Sequence, residues 1–415
     1  MNGHKGTYSV LVFLLVSACM VRVWGVQEPS FHVGDEGLHI PAAIEYRETG
    51  HANPDHYAHP PLKYHLLNAS MKVWGDNPAG WRMRNVIFGS LSVAVLFLIG
   101  IELFSSVRVA GLAAAFLAFD PLHLVLSRST FDEIPTVLFF LAGLYALIRY
   151  LKGSAGYLPL AGLFFGLAVS MKWYFVISLA AVTLFALLAT AQRDGRRWLR
   201  GADIVSACII IPVTIYLIVF IRWFDRGYGI WEFIQMQFDA YREFQFVQAA
   251  NVNPALAGAG MPWEWFVRPL LTIRTLGSEG EFMRVLAIMN SPLVWLLVLP
   301  SMTFMVYRIV RTGEYLANPS LVPIVFMCTY LPMLFIHRPM FLYSAISCLP
   351  PAALAVSYTA ITLADSFKRP LWATSVIMVV FLAWSAYVYP LTTGFSVKKS
   401  VYAPLFTVTG SSNSR

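Results

Sequence analysis

The chain reads as an all-α polytopic membrane protein. Three observations predict this. Of its 415 residues, 58% are hydrophobic and 13% charged, against about 25% charged in soluble domains. The apolar residues fall in long blocks rather than in periodic stripes. The basic residues between the blocks are concentrated in alternate loops.

Blocks of roughly 17 to 25 apolar residues can cross the hydrocarbon core as helices, which satisfy their own backbone hydrogen bonds. About eleven are expected on that criterion. They run near Tyr8–Val26, Val86–Phe104, Val109–Leu126, Ile134–Leu151, Leu158–Met171, Tyr174–Ala191, Ile204–Trp223, Pro292–Ile309, Leu321–Ile336, Phe341–Leu363 and Leu371–Tyr389. The third to sixth are interrupted by Pro121, Pro135 and Pro159 and joined by short loops. The first has two readings, a cleaved signal peptide or a retained anchor. Arg22 near its end and the absence of an A-x-A site favour the anchor.

With the N-terminus placed in the cytoplasm, the alternate loops carry Arg108, then Arg149 and Lys152, then Arg193, Arg196, Arg197 and Arg200, then Arg308 and Arg311, then Lys368 and Arg369. Every short basic loop then faces inward. The polar segments 27–85 and 225–291 fall outside with the C-terminal end, of which 400–415 is expected to be disordered. The net charge of +8 reflects these anchors, not a nucleic-acid footprint. Cys19, Cys208, Cys328 and Cys348 lie inside apolar blocks, so no disulfide framework is implied.

The first outer segment is where titratable groups gather. His32, His39, His51, His56, His59 and His65 lie there beside Asp35, Glu36, Glu45, Glu48 and Asp55. Asp35-Glu36 opens a stretch running to about Thr49, with Gly50 at the usual helix stop. Asp35 is therefore either an N-cap or a carboxylate presented for chemistry, and the two are compatible. The histidine spacings are poor for a metal, with no H-x-x-x-H or H-E-x-x-H pair. Solvated or substrate-contacting imidazoles fit better. In the second outer segment Trp231, Ile234, Phe238, Tyr241 and Phe244 recur every three or four residues, the mark of an amphipathic interfacial helix. It either packs on the membrane surface or gates a lipid groove.

These pieces carry a family resemblance. Asp35-Glu36 after the first helix, His59-Pro60-Pro61-Leu62 and WRMRNVIFGSL resemble the first outer loop of the protein O-mannosyltransferases, polyprenyl-phosphate-mannose-dependent enzymes of the GT-C fold. LSRSTFDEIPTVLFF, GLAVSMKWYF, MPWEWFVRP and RPMFLYSAISCLP resemble further segments of that family in the same order. Two departures stand out: Ser344-Ala345 occupy the place of the family's His-Tyr, and 225–291 leaves no room for the MIR domain of eukaryotic members. The chain is thus more similar to compact prokaryotic forms.

The resemblance implies mannose transfer from a polyprenyl- or dolichyl-phosphate donor to Ser/Thr hydroxyls of a secreted or membrane protein, with inversion and at the extracytoplasmic face. The membrane would be the cell membrane in a prokaryote and the endoplasmic reticulum in a eukaryote. Asp35 would be the base and Glu36 its neighbour in orienting the acceptor. The cations expected at the outer helix ends are Arg82, Arg84, Arg128, Lys172 and Arg338, with Lys63, to stabilise the departing phosphate. His59 and His65 are further candidates for contacting substrate. Asp132-Glu133 is read as neutralising Arg128. No cofactor or metal site is specified, and a divalent ion stays open. Two alternatives stand beside this reading: a related GT-C enzyme with a lipid or glycan acceptor, and a transporter or flippase. The scarcity of ionisable residues away from the helix ends weighs against transport.

Overall fold

The computed structural model describes residues 2–50, 59–193, 197–242, 259–267, 271–336, 340–367 and 370–408. The chain is mostly helical. The first helix, α1 (Asn2–Val23), leads into two short helices, α2 (Glu36–Thr49) and α3 (Leu62–Trp74), which pack on each other outside the bundle. Then follow α4 (Pro78–Phe104), α5 (Val107–Phe119), α6 (Pro121–Leu126), α7 (Glu133–Leu151), α8 (Tyr157–Val169) and α9 (Val176–Arg193). A further run is built from α10 (Arg197–Val205), a π-turn at Ser206–Ile210, α11 (Ile211–Val219) and α12 (Ile221–Phe224), ahead of α13 (Ile230–Arg242). After a single helical turn at Glu264–Val267 come α14 (Pro292–Thr312), α15 (Leu321–Leu334), α16 (Leu349–Ser366), α17 (Pro370–Thr393) and α18 (Lys399–Val408).

Among the described residues seven helices are long and apolar enough to cross a membrane. Further apolar helices, Val107–Phe119, Tyr157–Val169, Val176–Gln192 and Asn318–Leu334, are shorter. At about 1.5 Å per residue, the thirteen-residue helices α5 and α8 fall well short of a bilayer core of about 30 Å. The breaks follow the prolines. Asp120 leaves the helix in an extended conformation, ends α5, and accepts hydrogen bonds from the amides of Leu122 and His123 at the start of α6, where Pro121 needs none.

Strands are the main addition to the all-helical expectation. Strands β2 (Leu271–Glu279) and β3 (Phe282–Met289) form an antiparallel hairpin, and β3 also pairs with β5 (Ser396–Lys398), beyond the last long helix. A separate short pair joins β1 (Ala259–Gly260) to β4 (Met340–Phe341). The alternating burial along β3 seats Val285, Ala287 and Met289 against Val388 and Leu391 of α17. The helix Lys399–Val408 takes in residues 400–408 of the segment expected to be disordered, with Tyr402 buried in the same cluster.

Contacts fix which loops share an end of the bundle. Glu102 meets Arg149 at 3.4 Å and Lys152 at 2.9 Å, and Arg108 meets Asp365 at 2.8 Å. Those basic loops therefore lie together. At the other end Arg284 of the hairpin meets Glu28 at 2.8 Å and donates to the Gly394 carbonyl at 3.1 Å. Both polar segments and the chain after α17 thus lie on one side. Arg22 at the end of α1 is fully buried; it donates to the Ala18 carbonyl at 2.8 Å and meets His123 Nδ1 at 2.7 Å.

A tight turn seats α3 against α4. Ser70 Oγ donates to the Gly80 carbonyl at 2.6 Å and receives the Arg84 amide at 3.2 Å. A Cβ on Gly80 would collide with the Gly75 carbonyl. Gly80→Ala is expected to cost at least about 1–3 kcal/mol through overpacking against backbone. By contrast, Gly37 on α2 has open space around it, so Gly37→Ala should be neutral or slightly stabilising. Thermal unfolding of the two variants in detergent checks this; equal midpoints would remove the steric argument.

Candidate active site

The site begins at the N-terminus of α2. Asp35 is its N-cap and Gly50 its left-handed stop at φ 70, as the sequence suggested. Asp35 does not behave as an ordinary cap, however. Its backbone is αR rather than extended and its side chain makes no cap hydrogen bond. Among the described residues its half-buried carboxylate makes no hydrogen bond or ion pair. The charge is left available at a helix N-terminus, where the dipole favours it.

The next residue holds that start in place. Glu36 is buried, and one carboxylate oxygen accepts from the Val33 amide at 3.0 Å, closing the turn before the helix. Arg82 of α4 grips the carboxylate in a fork, Nε to Oε1 at 2.9 Å and Nη2 to Oε2 at 2.8 Å. Its remaining donors reach the carbonyls of Val26 at 3.0 Å, Pro29 at 2.9 Å and Phe31 at 3.2 Å. A guanidinium has five N–H donors, and these contacts engage all of them. Arg82 is therefore turned into the protein, and its donors are spent on shaping the loop that carries Asp35.

A second cluster lies beside it. Asp132 is the N-cap of α7 and Glu133 its first residue, both buried. Arg84 Nη2 donates to Asp132 Oδ1 at 3.3 Å and to the Thr130 carbonyl at 2.9 Å, while Nη1 reaches the Lys63 carbonyl at 3.1 Å. Lys63 Nζ stands 3.9 Å from Asp132 Oδ2 and over the Tyr64 ring. Lys172 Nζ donates to Glu133 Oε1 at 2.5 Å and lies 5.9 Å from the centre of the Tyr343 ring. His39 of α2 reaches the Thr130 carbonyl with Nδ1 at 3.4 Å.

The electrostatics follow from burial. Desolvation pushes the Lys63 ammonium below its ordinary value; Asp132 and Asp35 oppose that shift, while Lys172 and Arg84 add to it. Burial alone would raise the Asp132 carboxyl, yet His39, Lys63, Arg84 and Lys172 outweigh it and hold the group below the usual carboxylate range. Desolvation lowers His39 to about 4, with Asp132 and Asp35 opposing. His39 is thus a neutral imidazole at pH 7, and Asp35 is close enough to act on both it and Lys63.

Lys63, Arg84 and Lys172 are therefore brought together with Asp35 close by, and Asp132, Glu133 and His39 join them. Arg128 is not in this cluster. It caps the C-terminus of α1, donating to the carbonyls of Arg22 and Trp24, each at 2.6 Å, and Gly25 at 2.9 Å. Asp132 and Glu133 consequently do not neutralise Arg128; their partners are Lys63, Arg84 and Lys172. His65 lies with Tyr46, whose hydroxyl is 3.3 Å from Nε2, and Arg222 acts on it electrostatically. His59 precedes α3, and Arg338, His51 and His56 lie outside the described residues. Among the described residues no group of three His, Cys, Asp or Glu could hold a metal.

On α13 the aromatic stripe faces outward, with Trp231 and Phe238 more than half exposed. Phe233, which the stripe omits, is buried against Phe220 and the α2–α3 pair. Phe244 lies outside the described residues.

Residues 58–223 match the family described as dolichyl-phosphate-mannose-protein mannosyltransferase. A polyprenol-phosphate-mannose–protein mannosyltransferase of Corynebacterium glutamicum is 24% identical, covering 84% of this chain and 80% of that protein. One from Mycobacterium tuberculosis is 22% identical, with 83% and 79% covered. Among solved structures, the Saccharomyces cerevisiae protein O-mannosyltransferase Pmt1–Pmt2 complex bound to its sugar donor superposes with a TM-score of 0.80 at 12% identity, over 99% of this chain and 93% of that one. ArnT from Cupriavidus metallidurans bound to undecaprenyl phosphate gives 0.56 at 14% identity, over 96% and 76%. The chain is thus similar to protein O-mannosyltransferases over most of its length and shares the fold of these solved structures, as the motifs implied.

Two predictions come from this geometry. Arg82→Ala leaves Glu36 buried and unpaired, which should cost about 3–5 kcal/mol; a lowered unfolding midpoint with faster proteolysis near 27–50 is expected, and an unchanged midpoint would refute the clamp. The second concerns acid. Because His39 titrates near 4 when folded and near 6.5 when unfolded, the unfolded chain binds more protons between those values. The His39 contribution is fully present above about pH 6.5 and is lost as pH falls toward 4. His39→Gln should flatten that part of the stability–pH curve, measured as unfolding midpoints from pH 7.5 to 4.5.

Proposed function

We propose that this GT-C membrane glycosyltransferase transfers mannose from a polyprenyl-phosphate donor to a Ser or Thr hydroxyl of a protein, with inversion and at the face that carries both polar segments. The observation that supports it best is the pairing of an uncommitted carboxylate, Asp35, with the buried cations Lys63, Arg84 and Lys172. Glycosyl transfer from a lipid phosphate needs those two functions: a proton acceptor on one side of the anomeric carbon and positive charge on the other.

Asp35 takes the proton of the acceptor hydroxyl as that oxygen bonds to the anomeric carbon. The bond from that carbon to the phosphate oxygen breaks opposite the attack, its electron pair stays with the phosphate, and polyprenyl phosphate departs. Attack and departure on opposite faces give inversion, the logic of an inverting glycosidase with a protein hydroxyl in place of water. Lys63, Arg84 and Lys172 stabilise the charge developing on the phosphate, with greater effect in this dry site than in water. Glu36 and Arg82 act at one remove by fixing the α2 start, and Arg128 does so by fixing the end of α1. Arg338 belongs to this proposal only as a further cation from the sequence motif; His59 and His65 stand as contacts to substrate. The protein acceptor rests on the curated relatives rather than on a pocket. We further place this face outside the cytoplasm, in line with the basic residues at the opposite end.

Asp35→Asn is expected to reduce transfer by about 10²–10⁴-fold, the range for a general base, while donor affinity changes little. The assay is transfer of radiolabelled mannose from polyprenyl-phosphate-mannose to a Ser/Thr-rich peptide in membranes. A variant keeping most of its rate would dismiss Asp35 as the base. Label in the lipid fraction alone, with intact wild-type enzyme, would move the acceptor to a lipid.

A further inference from the structure

Among the described buried side chains, the carboxylate oxygens without a hydrogen-bond partner are Asp120 Oδ2, Asp132 Oδ2 and Glu133 Oε2. Asp120 uses its other oxygen to cap α6. The latter two belong to consecutive residues at the start of α7, and each shares a carboxylate with an oxygen already tied to a cation, Arg84 on Asp132 and Lys172 on Glu133. Lys63 Nζ, at 3.9 Å from Asp132 Oδ2, is beyond hydrogen-bond distance. Both residues are about 99% buried. Leaving an ionised acceptor buried and unmatched is costly, so each oxygen calls for a donor from outside the chain.

The chemistry of that donor is constrained. A metal ion is disfavoured by Lys63, Arg84 and Lys172 around the same carboxylates, and an ammonium or guanidinium would add a fourth positive charge. A neutral hydroxyl satisfies an anionic oxygen without adding charge, and a hexose carries several such groups within reach of its phosphate. We infer that Asp132 and Glu133 read the sugar of the donor, each accepting a hydrogen bond from a hexose hydroxyl through its open oxygen while its other oxygen keeps Arg84 or Lys172 aligned for the phosphate. This rests on the proposed reaction, because it takes the phosphate-linked sugar to lie at these cations. Asp132 and Glu133 then determine sugar specificity, while the cations bind a lipid phosphate whatever it carries.

The test compares two ligands on the full-length protein in detergent: polyprenyl-phosphate-mannose and polyprenyl phosphate without sugar. In the wild type the mannosyl ligand should bind more tightly. In Glu133→Gln and Asp132→Asn that advantage, taken as the ratio of the two affinities so that any change at the phosphate cations common to both ligands cancels, should fall about tenfold or more, the loss of one charge-assisted hydrogen bond. Equal advantages in wild type and both variants would overturn the inference while leaving the reaction standing. If the wild type binds neither ligand, the donor assignment fails and takes this inference with it. Since buried carboxylate variants can misfold, singly deoxygenated mannosyl donors are measured on the wild type as well. At least one should lose about tenfold; uniform affinity across the series would equally reject a reading of the hydroxyls.

Discussion

The constraint on which the site depends is the buried ion pair between Glu36 and Arg82. Two charges removed from water are tolerated only where geometry and additional hydrogen bonds offset their desolvation. Here the fork on the carboxylate, the Val33 amide and the carbonyls of Val26, Pro29 and Phe31 supply that compensation. A loop that would otherwise move freely between α1 and α2 is thereby fastened to α4. Asp35 is one residue away, so its position is set by a contact in which it takes no part. That separation lets the carboxylate remain unpaired without the loop losing its shape.

The chain uses the same device twice. At α2 and again at α7 an Asp-Glu step opens a helix, the Asp sits at the N-cap without a side-chain cap bond, and the Glu is buried against a cation from elsewhere. Both N-termini favour negative charge. The outcomes differ because the surroundings differ. Among the described residues no cation pairs with Asp35, whereas Asp132 is ringed by Lys63, Arg84 and His39 and its carboxyl is held low. One step thus leaves its Asp uncommitted among the described residues, and the other ties two buried carboxylates to three cations.

The α2 step and the apolar blocks could be read from sequence because their signals are local. Asp35, Thr49 and Gly50 mark a helix by adjacent residues, and hydropathy needs no partner. The cations were legible only as a set. Lys63, Arg84, Arg82 and Arg128 look alike in sequence, and what separates them is the partner each finds: carboxylates for Lys63 and Arg84, a buried glutamate for Arg82, the carbonyls ending α1 for Arg128. Those partners lie from 46 to 106 residues away, and no spacing rule reaches that far. The hairpin was hidden for another reason. Its strands alternate weakly and β5 pairs with β3 across more than a hundred intervening residues. His39 carried a local signal as well, since it follows Asp35 by about one helical turn and so shares a face with it.

The interfacial helix shows why the two readings of its aromatic stripe are not exclusive. Phe233 docks α13 onto Phe220 and the α2–α3 pair, while Gln237 accepts from Tyr216 OH at 2.8 Å, and Tyr216 in turn receives Trp173 Nε1 at 3.0 Å. Trp173 adjoins Lys172. The helix is therefore tied on one face to the element that carries Lys172 of the charged cluster, and on the other it presents Trp231, Ile234, Phe238 and Tyr241. Exposed aromatics on a polar segment next to transmembrane helices are stable where a bilayer boundary meets them. In the proposed reaction a lipid-linked donor would have its tail in that boundary and its phosphate at the cations. The same short run of residues that anchors α13 thus connects the membrane surface to the charged cluster, so packing and access are two consequences of one arrangement.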